Sequence, residues 1–405
     1  MKLYHVSQQL VSRPLVDVAE ETFQALDGLN IQVPQGPVAI TAGSRGINNI
    51  ATITKACGDW LRSQGAEPFI VPAMGSHNGA TAEGQRAMIE SLGITEQAMG
   101  MPIRATMETV TIGELPTGPI TIDRNCHEAA GTLVLNRIKL HTCFSGPPES
   151  GIQKMMAIGM GKIDGARSFH AIPTLEKAPA LVQMAETILA TGKVLCGLGI
   201  IEDGFDQTAE LHALRPDEIV AREPELLEYY RTTYFPQLPV DQLDVLVVSE
   251  IGKTYSGLGM DPNVIGRRGL VGIPDFPTPK IETIVALELI KASQGNALGF
   301  GLGDAITQRL YDSIDFEKTR INAETTGDME RIRMVHICKD DKDAFDWCRG
   351  RSGEKRWLVI PNTLHLGSIY CSEGLREELA EHPLCQVGRE PTEATFEAGR
   401  MQLAF

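Results

Sequence analysis

The chain is poor in the features that mark secreted, membrane and nucleic-acid-binding proteins. Its eight cysteines (Cys57, Cys126, Cys143, Cys196, Cys338, Cys348, Cys371, Cys385) are scattered singly, with no CxxC pair, so they suggest neither a disulfide framework nor a structural zinc ribbon and read as reduced thiols. No stretch offers the run of about eighteen apolar residues that a membrane span needs. The opening MKLYHVSQQLVSRPLVDVAEE meets charge too early for the apolar core of a signal peptide, and the expectation is a cytoplasmic chain with no membrane partner. Lys and Arg number 37 against 52 Asp and Glu, a formal charge of −15, the wrong sign for a general binder of nucleic acid or anionic membranes. HExxH and GxSxG are missing, as are repeats of fixed period and low-complexity tracts.

What is present fits a soluble α/β enzyme. A length of 405 residues suits two or three domains, and 42% hydrophobic with 22% charged residues excludes a disordered chain. Pro37–Ala42 is a short apolar run, Ile47–Ser63 carries apolar residues at helical spacing, and Pro68–Pro72 is apolar again, which predicts a β-loop-α-β unit. Thr81 is a cap for a helix with Glu83 in its first turn and a stop at Gly93. Gly131–Leu140 predicts a buried strand that delivers His141. Residues 150–192 read as mostly helical, Val194–Ile201 as a strand and 216–234 as a charged amphipathic helix. Phe235-Pro-Gln-Leu-Pro239 is the linker, because Asp244–Val248 restarts the alternation directly after it. The expected domains are 1–238 and 239–405, with the last ~20 residues free to pack back on the first.

Ligands of open α/β sheets bind beyond the carboxyl ends of strands, so the loops after the apolar runs are the places to look. Four are unusually polar: Gly43-Ser44-Arg45-Gly46-Ile47-Asn48, Gly75-Ser76-His77-Asn78-Gly79, Lys139-Leu140-His141, and Ser249-Glu250-Ile251-Gly252-Lys253-Thr254. The first precedes a helix N-terminus, whose backbone N–H groups favour an anion, and Arg45 adds a guanidinium fork; it also reads as an ordinary polar turn. His77 between glycines reads equally as a solvated loop residue, and His141 and His170 as partly buried, satisfied imidazoles. Gly252-Lys253-Thr254 lacks the earlier glycine of a P-loop, since Val247 stands there, and neither Gly159-Met-Gly161 nor Gly299-Phe-Gly301 completes a dinucleotide fingerprint.

Taken in order, Ser44-Arg45, Gly75-Ser76-His77, His141-Thr-Cys-Phe-Ser-Gly146, Lys154 and His170 resemble the nickel-dependent lactate racemase family. That family carries an Asp-x-Thr-Arg loop, a Gly-Thr-His segment, a His followed by Phe-Ser-Gly, a lysine, and a histidine sixteen residues past it; Lys154 and His170 have that separation. The match covers most of the first 200 residues. Beyond them Gly259-Met-Asp261-Pro-Asn263 and Arg267-Arg268 stand where a second domain would supply a substrate-facing base. The resemblance implies two α/β domains with the site in the interdomain cleft. It also implies a nickel pincer nucleotide cofactor, tethered through Lys154 and completed by His170 as metal ligand. His77 and His141 become the acid/base pair, Ser44, Arg45 and Gly46 hold cofactor phosphate, and Arg45, Lys253 and Arg268 hold substrate.

The implied function is racemisation or epimerisation of a 2-hydroxy acid by hydride transfer, with cofactor-synthesis proteins as transient partners. An electron-poor ring suits removal of hydrogen from a carbon without carbanion stabilisation, and imidazole suits both proton transfer and nickel. This chain departs from the pattern twice. Ala42-Gly43-Ser44-Arg45 removes the carboxylate of Asp-x-Thr-Arg, and Pro147–Gln153 places the lysine about three residues late, leaving Lys139 and Lys162 as alternative tethers. Two other functions fit the same residues: a carbonyl enzyme in which Lys154 forms a Schiff base, and a carboxylate- or nucleotide-binding relative without turnover.

Overall fold

The computed structural model describes every residue except Arg45 and Asp328, and of Thr325 and Thr326 the backbone alone. The chain divides into two units, Val11–Phe235 and Met1–Leu10 with Pro236–Phe405. Strand β1 (Lys2–Gln8) therefore leaves the company of the residues that follow it. Its backbone pairs antiparallel with β14 (Ser368–Ser372) and β15 (Cys385–Val387), which differs from a first domain running 1–238.

The unit Val11–Phe235 is built on five strands in the order β3-β2-β6-β7-β8, with a separate two-stranded hairpin of β4 (Thr109–Leu115) and β5 (Gly118–Asp123). Strands β2 (Gly36–Ala42), β3 (Ala66–Pro72), β6 (Gly131–Arg137) and β7 (Val194–Glu202) run parallel, and β8 (Thr208–Leu214) is antiparallel to β7. Helices cover both faces, which is why these strands read as continuous apolar runs. Ile53, Cys57, Trp60 and Leu61 of helix Ile50–Ser63 pack on one face, while Met156, Phe169, Leu181 and Ile188 cover the other. The Thr81 side chain accepts from the Gly84 N–H at 3.1 Å, so the predicted cap opens helix Ala82–Ser91. The β6 ladder stops at Arg137, short of the expected Leu140, because the chain folds back and the Lys139 N–H donates to the Ser150 carbonyl at 3.0 Å.

The segment read only as helical between 150 and 192 has a finer structure. One turn, Ile152–Lys154, runs into a six-residue π-helix, Met155–Met160, and then into helices Lys162–His170 and Lys177–Leu189. A π segment sits in few helices and marks a place where regular spacing is given up.

The second unit carries a larger sheet in the order β12-β11-β10-β9-β13-β14-β1-β15, with β16 (Thr392–Glu393) on β1. Its parallel strands are β9 (Gln242–Ile251), β10 (Lys280–Leu289), β11 (Ala305–Thr307), β12 (His336–Cys338) and β13 (Trp357–Ile360). The C-terminal hairpin formed by Thr395–Glu397 and Arg400–Gln402 stays with this unit. Phe396 meets Phe345 at 5.2 Å and the Met401 N–H donates to Asp341 at 2.8 Å, which pins the tail within it.

Candidate active site

Strand β2 lies between β3 and β6, and the chain leaves it toward β3 before returning to the other side as β6. The loops after β2 and β6 therefore diverge at the carboxyl end of the sheet, the place where this topology leaves a crevice. Ser44 follows β2, His77 follows β3, and His141 follows β6. Ser44 and His77 meet directly: Ser44 Oγ lies 2.5 Å from His77 Nδ1, with the ring exposed. Both of these loops pack on the π-helix. Gly75 takes a left-handed φ of 62°, its N–H donates to the Gly159 carbonyl at 3.2 Å, and a Cβ there would meet Ile158 at 3.2 Å; a Cβ on Gly43 would meet the Met155 methyl at 3.1 Å. The buried Gln85 amide holds the Gly75 carbonyl at 2.8 Å and so fixes the His77 loop from behind.

His141 is held by its own loop. Its backbone N–H donates to the buried Glu149 carboxylate at 2.6 Å, and the same carboxylate accepts from the Gly146 N–H at 3.2 Å. The ring lies against Phe144 at 4.4 Å, Phe144 meets Phe169 at 5.7 Å, and Phe169 meets His170 at 5.9 Å, so an aromatic file joins the two imidazoles. Burial holds the His141 ring well below the ordinary histidine range, with the charges of Lys154, Lys139, Lys177 and His170 adding to it. His170, at the end of its helix, is pushed down to about 4, by desolvation first and then by Lys177 and Lys154, although its residue surface reaches solvent. Both rings are thus pushed away from the protonated form, and Lys154 and Lys177 act on both.

The half-buried Lys154 is positioned by a residue that sequence did not single out. Glu223, fully buried on helix Ile219–Thr233, accepts from the Gln153 N–H at 2.9 Å and faces that of Ile152, capping the turn that carries Lys154. Gly151 makes room for it, since a Cβ there would come within 1.8 Å of the carboxylate. Burial raises this carboxyl to about 7. Lys177 and Glu149 were likewise missed. The one signal for Glu223 is a glutamate at helical spacing with the apolar Ile219, Leu226 and Leu227 of a charged helix.

Among the alternatives, Lys162 is fully buried in an ion pair with Asp123 at 3.0 Å and bonds to the Pro72 carbonyl and Gln85, so it serves the scaffold. Lys139 is half-buried and near enough to His141 to act on its charge. Arg45 lies outside the described residues, and Gly46 is exposed. Lys253 and Arg268 belong to the second unit. Lys253 Nζ donates to the Gly257 carbonyl at 2.7 Å and to Asn322 at 2.6 Å, and Arg268 stacks over Phe276 at 3.9 Å.

His170 offers a neutral imidazole, the form that binds a metal, and Lys154 lies within its electrostatic reach, so the donor set suits a lysine-tethered group carrying one protein-bound metal. Among the described residues no three His, Cys, Asp or Glu gather as a metal cage, so the remaining ligands of such a metal would have to come from the bound group.

No family model matches the chain, and no curated protein matches it in sequence. Among solved structures, the lactate racemase apoprotein from Thermoanaerobacterium thermosaccharolyticum aligns over 88% of this chain and 94% of its own, with a TM-score of 0.50 at 14% identity. A structural-genomics target from Thermotoga maritima aligns over 69% of this chain and 72% of its own, with a TM-score of 0.50 at 15% identity. The chain therefore shares the two-domain α/β fold of that lactate racemase.

Proposed function

We propose that this protein is a racemase or epimerase of a 2-hydroxy acid that works with a nickel pincer nucleotide. The observation that carries the reading is the aromatic file that joins His141 through Phe144 and Phe169 to His170, sixteen residues after Lys154, in a chain that shares the fold of a lactate racemase. When bound, the cofactor supplies an acceptor for the carbon-bound hydrogen and its electron pair. Lys154 would hold it and His170 would bind its metal. His77 and His141 serve the substrate hydroxyl, handling its proton and the oxygen that remains. The lysines whose charges act on His141 favour an anionic substrate such as a carboxylate. The substrate class is thus a small 2-hydroxy acid, and proteins that make the cofactor would be transient partners.

The test combines mass and isotope. Protein made in a host that synthesises the cofactor should carry nickel and a mass adduct on the peptide containing Lys154. Racemisation in heavy water should leave the carbon-bound hydrogen unexchanged, because it never rests on an exchangeable nitrogen or oxygen. Rapid deuterium incorporation at the stereocentre in single turnovers would overturn this chemistry and favour a Schiff-base route, which borohydride trapping on Lys154 would reveal.

A further inference from the structure

The loop that carries His77 is held from behind by a chain of buried polar groups drawn from three distant parts of the sequence. Lys162, Asp123 and Gln85 are all fully shielded from solvent. The Lys162 ammonium lies 3.0 Å from Asp123 Oδ2, donates to the carbonyl of Pro72 at the end of β3, and donates to Gln85 Oε1 at 3.2 Å. An ammonium can only donate, so the Gln85 amide is turned with its oxygen to Lys162, and its Nε2 reaches the Gly75 carbonyl at 2.8 Å and the His77 carbonyl at 3.5 Å. Asp123 is fixed in turn, because its other oxygen accepts from the Asn125 N–H at 2.7 Å and the Cys126 N–H at 3.3 Å. Lys162 sits where the π-helix gives way to helix Lys162–His170, between Lys154 and His170 in the chain. Its φ of 52° is left-handed, a conformation that a residue with a side chain keeps only where its surroundings demand it. The Thr121 hydroxyl on β5 secures that junction by donating to the Gly161 carbonyl at 2.8 Å.

We propose that Lys162, backed by Asp123, is a positioning residue for His77, and that the run Asp123–Lys162–Gln85 is a strut that sets the His77 loop against the segment bearing Lys154 and His170. Burying two charges is costly, and an apolar pair of similar volume is often as stable or more so, so stability gives no reason for the ion pair. What the pair supplies is direction. It fixes which end of the Gln85 amide faces the loop, and it ties the end of β3 to the start of helix Lys162–His170. Its part in turnover rests on the 2-hydroxy-acid reading above. Under that reading the strut sets the spacing between one proton carrier and the residues that would hold the cofactor, while His141 shares the acid/base work from its own loop. A misplacement of about 1 Å in such a group can cost about 10²-fold in rate.

Two variants of the full chain test it. Asp123→Asn combined with Lys162→Met removes both charges together, and the asparagine keeps an oxygen for the Asn125 and Cys126 N–H groups. Gln85→Met cuts the link to the loop and leaves the ion pair in place. In histidine side-chain ¹⁵N spectra of the cofactor-free protein, both variants should shift the His77 ring signals and leave those of His141 and His170 where they are. In enzyme from a cofactor-producing host, kcat should fall about 10- to 10²-fold with nickel content unchanged. His77 signals that stay put in either variant overturn the proposal. Equal shifts at all three histidines overturn it too, because a pair that only stabilises the unit would disturb the unit as a whole. Should the charge-free pair fail to fold, Gln85→Met decides on the same spectra. A shift confined to His77 in a protein that turns over no 2-hydroxy acid refutes the functional reading and leaves the strut standing.

Discussion

Each unit has a point where the order of its parallel strands reverses, and the two differ in what they place there. In Val11–Phe235 the chain after β6 brings the imidazoles of His141 and His170 under the influence of lysines, and burial together with those cations disfavours the protonated form of both rings. In the second unit the corresponding divergence lies between β9 and β13, since the chain passes from β9 to β10, β11 and β12 before returning as β13. There the polar groups answer one another. Tyr255 donates to Glu250 at 2.6 Å, and its phenol is pushed up by burial and by that carboxylate. Asn362 accepts from the His365 N–H at 2.9 Å and pairs with the ring at 3.1 Å. The Asp261 N–H reaches Thr363 at 3.0 Å. A strand-end crevice is thus a place for a site and no more; the chemistry follows from which side chains are held there and how their surroundings move their proton affinity.

The strongest way to break this comparison is to remove the groups that distinguish the first crevice. His170→Ala should abolish nickel retention in protein from a cofactor-producing host. His77→Ala should keep the metal while kcat falls about 10² to 10⁴-fold, since losing a ligand and losing a proton carrier are different defects. Nickel-to-protein ratios for the two variants check it, and equal metal loss would refute the separate roles of His77 and His170.

A smaller effect should appear at Glu223. Glu223→Ala leaves the Ile152 and Gln153 N–H groups without their acceptor, at a cost of about 1 to 3 kcal/mol in denaturant unfolding. The folded chain holds this carboxyl up to about 7, whereas the unfolded chain gives up its proton near the ordinary value of about 4.3. Between those pH values the folded state binds more protons, so wild-type stability declines as pH rises through that window. Glu223→Gln cannot titrate there. Its stability relative to wild type should therefore improve from pH 5 to 7 and level off above, and a constant difference would place the carboxyl's titration elsewhere.

Much of this was legible in the sequence, and the limits have physical reasons. Strands buried on both faces announce themselves as apolar runs, so β2, β3, β6, β7 and β9 were found, and the histidines were found because they end or follow such runs. The excursion of β1 into the other unit was invisible, because antiparallel pairing with a partner some 365 residues away leaves no local mark. The π-helix was equally hidden, since its residues are apolar on any helical count. Glu223 looked like one more acid on a charged helix; only the sheet-side packing of that helix turns it inward. The Cys143 N–H that meets the His141 ring belongs to the backbone, which no residue pattern can reveal.

The smallest effect should come from the second crevice, at Lys253. Sequence pattern suggested a substrate-binding cation there, yet its ammonium already donates to the Gly257 carbonyl and to Asn322, tying the loop after β9 to helix Phe316–Thr326. Lys253→Met should lose those bonds and cost about 1 to 3 kcal/mol in stability, the usual worth of hydrogen bonds from a charged donor. Because the ammonium is engaged with its own loop, nickel content should be unchanged and KM should rise by less than about threefold, under 1 kcal/mol of binding. A variant of wild-type stability whose KM rises tenfold or more would show that Lys253 leaves its loop to meet the substrate. The second crevice would then count as a working part of the site, and the contrast between the two units would be one of degree.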